Sequence, residues 1–158
     1  MPGRLRRPIQ WGKKMNKYAK DSQELRRICA NLTFAKQLGL IDDDSLEAAE
    51  ERCRRENARR VEKLAAGEVV YGLTAYPLPA YLQYECTRFR LAFAGERKQV
   101  RYNYAPITAR EEKAYYKANK DLFTRYMGDK FRFREVKQVV RKKMREEEYD
   151  RAVQDLLR

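Results

Sequence analysis

Residues 108–158, TAREEKAYYKANKDLFTRYMGDKFRFREVKQVVRKKMREEEYDRAVQDLLR, decide the fold class of this chain. Thr108 and Glu111 stand three apart just before a periodic run. There a hydroxyl takes an early backbone donor and a carboxylate reaches back to the cap, the signature of a helix start. The helix that follows is expected to place Ala114, Tyr115, Ala118 and Leu122 on one side. Met127, Gly128 and Asp129 mark a turn. A second helix is predicted over about Arg134 to Leu157, roughly 36 Å long at ~1.5 Å per residue. Its apolar stripe is Val136, Val139, Val140, Met144, Ala152, Val153, Leu156 and Leu157. Lys143 and Glu147 interrupt that stripe, so its middle is expected to be exposed or to face a partner. Only residues 124–130 separate the two helices, too little chain for an intervening domain.

Upstream, Leu25, Ile28, Cys29, Leu32, Ala35 and Leu38 recur at three- and four-residue steps, and Gly39 supplies a C-terminal stop. Asp42, Asp43 and Asp44 then signal a new helix, roughly Ser45 to Ala66, closed by Gly67. Its apolar content is thin: Leu46, Ala49, Cys53, Val61 and Leu64. Glu47, Glu50 and Glu51 lie one turn before Arg54 and Arg55, which supports the helix by pairing. Val69, Val70 and Tyr71, followed by Gly72, read as an extended segment. Pro79 fits the first turn of a third helix, the most apolar one, running through Tyr81, Leu82, Tyr84, Phe89 and Phe93 to about Lys98. The fold class predicted is all-α: an irregular bundle of about five helices with one short extended segment. The core should draw on Leu25, Ile28, Leu32, Leu82, Phe89, Phe93, Tyr115, Phe123, Phe131, Val136, Val140, Val153 and Leu156.

The chain has 158 residues and a formal net charge of +13. Residues 1–20 hold seven basic residues and no acid. With Pro2, Gly3, Pro8 and Gly12 among them, they read as a basic flexible arm ahead of one helical domain over residues 21–158. No histidine is present. That excludes Ser-His-Asp and Cys-His catalysis and histidine-ligated metal chemistry. Cys29, Cys53 and Cys86 lack the spacing of a metal knuckle and read as buried free thiols. Acidic groups such as Asp42 and Asp44, or Glu146 and Glu147, have helix-start and ion-pair explanations. No catalytic residue, metal site or cofactor is expected. The sequence as written shows no secretory signal and reads as cytoplasmic.

Two stretches resemble a known family. One is Gly39-Leu40-Ile41-Asp42-Asp43, then Glu56-Asn57, Arg59-Arg60 and Gly67-Glu68-Val69-Val70-Tyr71-Gly72-Leu73. The other is Tyr115-Tyr116, Asn119-Lys120-Asp121-Leu122-Phe123 and Phe133-Arg134-Glu135-Val136-Lys137. Together they are similar to the helical module of SurA-type, parvulin-associated foldases with the catalytic isomerase domain left out. The resemblance implies a SurA-like chaperone fold that holds unfolded or extended polypeptides, and an extracytoplasmic setting. The absent isomerase domain and absent histidines imply a non-catalytic member.

On this reading Val70, Tyr71, Tyr76, Tyr81, Tyr84 and Tyr115 are the candidate peptide-binding residues, since tyrosine offers a large apolar face with a polar tip. The extended segment around Val70 also offers an unpaired backbone edge, although a packed connector is the plainer account. Asn57 and Asn119 are expected to bond backbone at helix junctions. Arg134, Lys137, Arg141, Lys142 and Arg145 form an electrostatic patch. It suits recruitment of acidic segments, or contact with nucleic acid or an anionic membrane surface. Two other functions therefore stay open: a basic nucleic-acid-binding protein, and a structural subunit that requires a protein partner. A homodimer is compatible with either.

Overall fold

A computed structural model describes residues 17–95, 99–125 and 127–157. Among these the chain forms five α-helices: α1 Ser22–Gln37, α2 Leu46–Ala65, α3 Leu78–Ala94, α4 Ala109–Ala118 and α5 Phe133–Leu156. A 3-10 turn, Lys120–Phe123, follows α4. No strand occurs among the described residues. The extended segment at 69–73 runs alone, and an isolated Thr124–Lys130 bridge closes the turn before α5. The expected all-α architecture is what the chain adopts.

The helix ends follow local chemistry. Asp21 accepts the Glu24 backbone N–H, Ser45 accepts that of Ala48, and Thr108 with Glu111 closes a full capping box. At the C-termini of α1 and α2, Gly39 and Gly67 take φ of +76° and +75°. Each is followed by a backbone bond reaching back five residues, Leu40 to Ala35 and Glu68 to Lys63. This is the left-handed stop that strains any residue with a Cβ. α4 ends earlier than its periodicity implies. Asn119 leaves helical geometry (φ −124°, ψ 39°) and its side-chain amide donates to the Tyr115 carbonyl, 2.9 Å.

That break corrects the expected face of α4. Ala114, Ala118 and Leu122 are exposed, and the residue α4 buries is Glu112. The 3-10 turn rotates Phe123 inward, into the core position expected of it, against Tyr115 and Tyr116.

Two apolar cores result. The larger joins α1, α3 and the last half of α5 around Leu25, Ile28, Leu32, Leu82 and Phe93. Phe93 touches Phe34, Tyr102, Tyr104 and Tyr149 at centroid distances of 4.8–5.8 Å. The smaller contains Phe123, Val136 and Val140, with Tyr115 and Phe131 only partly buried. Leu156 and Val139, expected inside, are 39% and 47% exposed. The middle of α5 is packed rather than open. Tyr149 is buried and its hydroxyl donates to Asn31, 2.8 Å, across from α1. Of the arm expected over residues 1–20, residues 1–16 lie outside the described residues; Tyr18 and Ala19 belong to the larger core.

Three buried carboxylates stitch the helices together. Glu85 on α3 takes a two-pronged contact from Arg52 on α2, 2.5 and 3.2 Å. Glu146 on α5 pairs with Arg90 on α3 at 3.1 Å, and Glu112 on α4 with Arg141 on α5 at 2.6 Å. Each acid is nearly inaccessible. Desolvating a charge is costly unless a partner and further bonds compensate.

These environments shape the pH response. The bond from Arg59 holds the Glu56 carboxyl below its usual range, and the Ser45 and Thr108 backbone amides do the same for Asp43 and Glu111. Such groups lose protons more readily folded than unfolded. Their stabilisation is present above the ordinary carboxyl value of 4.5 for Glu56 and is lost as pH falls below it. Burial pushes the Cys86 thiol up to about 12 and, aided by Glu147, the Tyr115 phenol up to about 12. Burial also raises Tyr81 and Tyr149. These groups ionise first in the unfolded chain, so stability falls as pH climbs past roughly 9–10. The expected melting temperature is flat between about pH 5 and pH 9 and drops on both sides, as calorimetry across the range will show. A profile that keeps rising above pH 10 would contradict these burials.

Candidate docking surface

The second half of α2 behaves unlike the first. Ala49 and Cys53 are buried, but Val61 and Leu64 are 61% and 45% exposed. The buried residue there is an arginine. Arg60 donates through Nη1 to the carbonyls of Tyr71 and Leu73, both 2.7 Å, and through Nη2 to the Tyr76 hydroxyl, 3.2 Å. Its Nε bonds Glu56, and its guanidinium stacks 4.6 Å from the Tyr76 ring centre. One turn earlier, Asn57 accepts from the Tyr76 backbone N–H, 2.7 Å, and donates to its carbonyl, 3.0 Å. Two side chains of α2 thus hold the loop before α3 at four backbone atoms.

The consequence is a crest. With its carbonyls gripped from below, the loop turns Val69, Tyr71 and Leu73 outward, 71%, 84% and 50% exposed. Val61 and Leu64 on α2 are exposed as well. Covering a large apolar side chain is worth about 1.5–3 kcal/mol, so the exposed side chains of this loop have binding energy to give. Because the arginine and asparagine fix the backbone in advance, a partner meets little ordering cost.

The tyrosines of the candidate peptide-binding set divide by environment. Tyr76, Tyr81 and Tyr84 form one cluster behind the crest, with Tyr76 stacked on Tyr84 at 5.1 Å and 16°. Tyr81 is buried and within 3.4 Å of Glu85. Tyr71 stands free on the crest and Val70 is half-buried beside it. Tyr115 is elsewhere, on α4, donating to Glu147 at 2.6 Å and packing against Phe123. Sequence reasoning missed Arg60, Val61 and Leu64 as functional candidates, and weighed residues 69–73 only as a backbone edge. A signal was present: Arg60 sits where the thin apolar face of α2 continues, midway between Cys53 and Gly67.

The electrostatic set divides too. Lys137, Arg141, Lys142 and Arg145 border one cleft beside α3; Arg134 is exposed and not among its lining residues. Arg145 is engaged by Glu148 and the Ala105 carbonyl, both 2.6 Å. No helix is long and apolar enough to cross a membrane among the described residues.

The described residues thus form a helical body with buried charge pairs and an exposed apolar loop braced from α2. No protein-family model matches the chain. It is similar to the protein of Bifidobacterium longum subsp. longum described as a chaperone for lacto-N-biosidase. The two are 29% identical over 130 residues, covering 82% of this chain and 45% of that protein. The fold is similar to part of the GH136 lacto-N-biosidase from Eubacterium ramulus. Its native crystal structure gives a TM-score of 0.69 at 24% identity, covering 84% of this chain and 27% of the enzyme. The selenomethionine derivative gives 0.70 over 83% of this chain. The chain therefore spans under half of the curated relative and about a quarter of the solved enzyme.

These likenesses overturn the SurA-type resemblance. Sequence and fold both lead to the lacto-N-biosidase chaperone and the helical part of a lacto-N-biosidase, not to a foldase with its isomerase removed. The motifs that suggested SurA are glycine stops, a capping box and aromatic spacing, which unrelated helical assemblies share. Nor does the gap at residues 124–130 mark a missing domain. Phe131 donates to the Phe123 carbonyl at 3.1 Å, so that turn is locally closed.

Proposed function

We propose that this chain is a non-catalytic chaperone dedicated to a glycosidase of the lacto-N-biosidase type, which it engages through the crest. The observation that carries this reading is the bracing of the apolar crest by buried Arg60. General holdases rely on adaptable, repacking surfaces. A loop fixed at its own carbonyls suits one partner shape. The likeness to a curated chaperone for lacto-N-biosidase supports the partner class. The likeness to a portion of a lacto-N-biosidase supports a helical unit that works beside the catalytic part of such an enzyme, in the same chain or in another.

The test is co-expression with a lacto-N-biosidase encoded in the same genome. Soluble enzyme activity is expected to depend on this chain. It should fall about tenfold with the double variant Val69→Asp/Tyr71→Asp, whose own stability should shift by no more than about 0.5 kcal/mol because both side chains are exposed. Enzyme activity that is the same with and without the chain would refute the proposal.

A further inference from the structure

A second surface lies at the far end of α3. The end of that helix, the 99–107 connector and one face of α5 enclose a cleft of about 1160 Å³. Small-molecule sites run to roughly 300–1,000 Å³, so this one has room for a polypeptide segment. Its lining includes the apolar Leu91, Ile107 and Val139; Leu91 is 44% and Val139 47% exposed. One wall is basic. Lys137, Arg141 and Arg145 follow each other at four-residue steps and so share a face of α5, with Lys142 at its other margin.

No aspartate or glutamate lines this cleft among the described residues. Two of its cations are already matched elsewhere: Arg141 by Glu112 and Arg145 by Glu148. Lys137 and Lys142 have neither hydrogen bond nor ion pair among the described residues. Unpaired cations facing a cleft whose described lining holds no acid are complemented by an occupant that brings carboxylates. The exposed Leu91 and Val139 ask in addition for hydrophobic side chains, which a phosphate backbone does not supply.

We infer that this cleft docks a segment of the partner glycosidase in which acidic residues alternate with apolar ones. This rests on the chaperone reading above and adds a second contact to it. Acidic side chains of the segment lie toward Lys137 and Lys142, and its apolar side chains lie on Leu91 and Val139.

The test compares the double variant Lys137→Glu/Lys142→Glu with a control of equal charge change on α4, Lys113→Glu/Lys117→Glu. The probes are a fluorescent decapeptide alternating Glu with Leu, its Gln-for-Glu analogue, and the lacto-N-biosidase itself in a co-purification. The expected result is a loss of peptide affinity of about tenfold or more in the cleft variant and little change in the control. The Gln analogue should bind weakly to all three proteins, and capture of the enzyme should fall with the cleft variant alone. Equal peptide binding by the two variants overturns the inference, as does displacement of the peptide by a single-stranded RNA of equal charge. Enzyme captured equally by wild type and cleft variant, but not by the crest variant, removes the cleft and leaves the chaperone reading standing. No capture by wild type removes the chaperone reading, and this inference with it.

Discussion

Replacing Arg60 with alanine is expected to cost about 1.5–3 kcal/mol of stability and most of the chaperone effect. The guanidinium holds two carbonyls, a hydroxyl and a carboxylate at once, and its side chain is only 7% exposed. Charge-assisted bonds to a fixed fork are among the stronger polar contacts. The loss should not reach the full value for a buried network, because the freed carbonyls lie on an exposed loop and can take water. For a chain of this size the change amounts to roughly 5–10 °C in melting temperature. Function should suffer more than stability, since Val69, Tyr71 and Leu73 would no longer share one arrangement. Arg60→Lys is the sharper variant. It keeps the charge but cannot form the planar fork, so it too should fail in co-expression. Full chaperone effect in both variants would show that the crest need not be held rigid.

The second large effect concerns Arg52 and Glu85. Arg52→Met leaves the Glu85 carboxylate buried, with the Tyr81 hydroxyl at 3.4 Å as its remaining partner. Stripping one member from such a pair costs about 3–5 kcal/mol. The lower end applies here, because the Arg52 side chain is 23% exposed and the acid can recruit some solvent. The double variant Arg52→Met/Glu85→Leu should recover most of that loss, since an apolar pair of similar volume requires no desolvation of charge. Urea denaturation of wild type, both single variants and the double variant closes the cycle. A single variant as stable as wild type would show that the contact contributes nothing to the fold.

These pairs also explain what could be read in advance. The helix count, the stops at Gly39 and Gly67 and the cap at Thr108 depend on residues within a turn of one another, and all were legible. Glu85, Glu112 and Glu146 were not. Periodicity treats an acid inside an apolar stripe as a defect, and the arginine that makes its burial tolerable stands 33, 29 or 56 residues away. On α4 the face was only partly right: Tyr115 packs on the smaller core as expected, but the alanines and Leu122 are exposed and Glu112 is buried. The candidate surface was half legible for a similar reason. Tyrosine suits both core and contact, so Tyr71 and Tyr81 look alike in sequence although one is 84% exposed and the other 4%. What separates them is Arg60, whose role depends on a loop eleven residues onward.

The two unequal cores carry a kinetic consequence. α5 is common to both: Tyr149 and Val153 anchor its later half in the larger, Val136 and Val140 its beginning in the smaller. Among the described residues the smaller core has three buried apolar side chains against fifteen in the larger, so it opens at lower free energy. Amide protons of α4 and the first turns of α5 should therefore exchange with solvent well before those of α1 and α3. The molecule has an order of disassembly built into it: one end can come apart and re-form while the end that bears the crest stays folded.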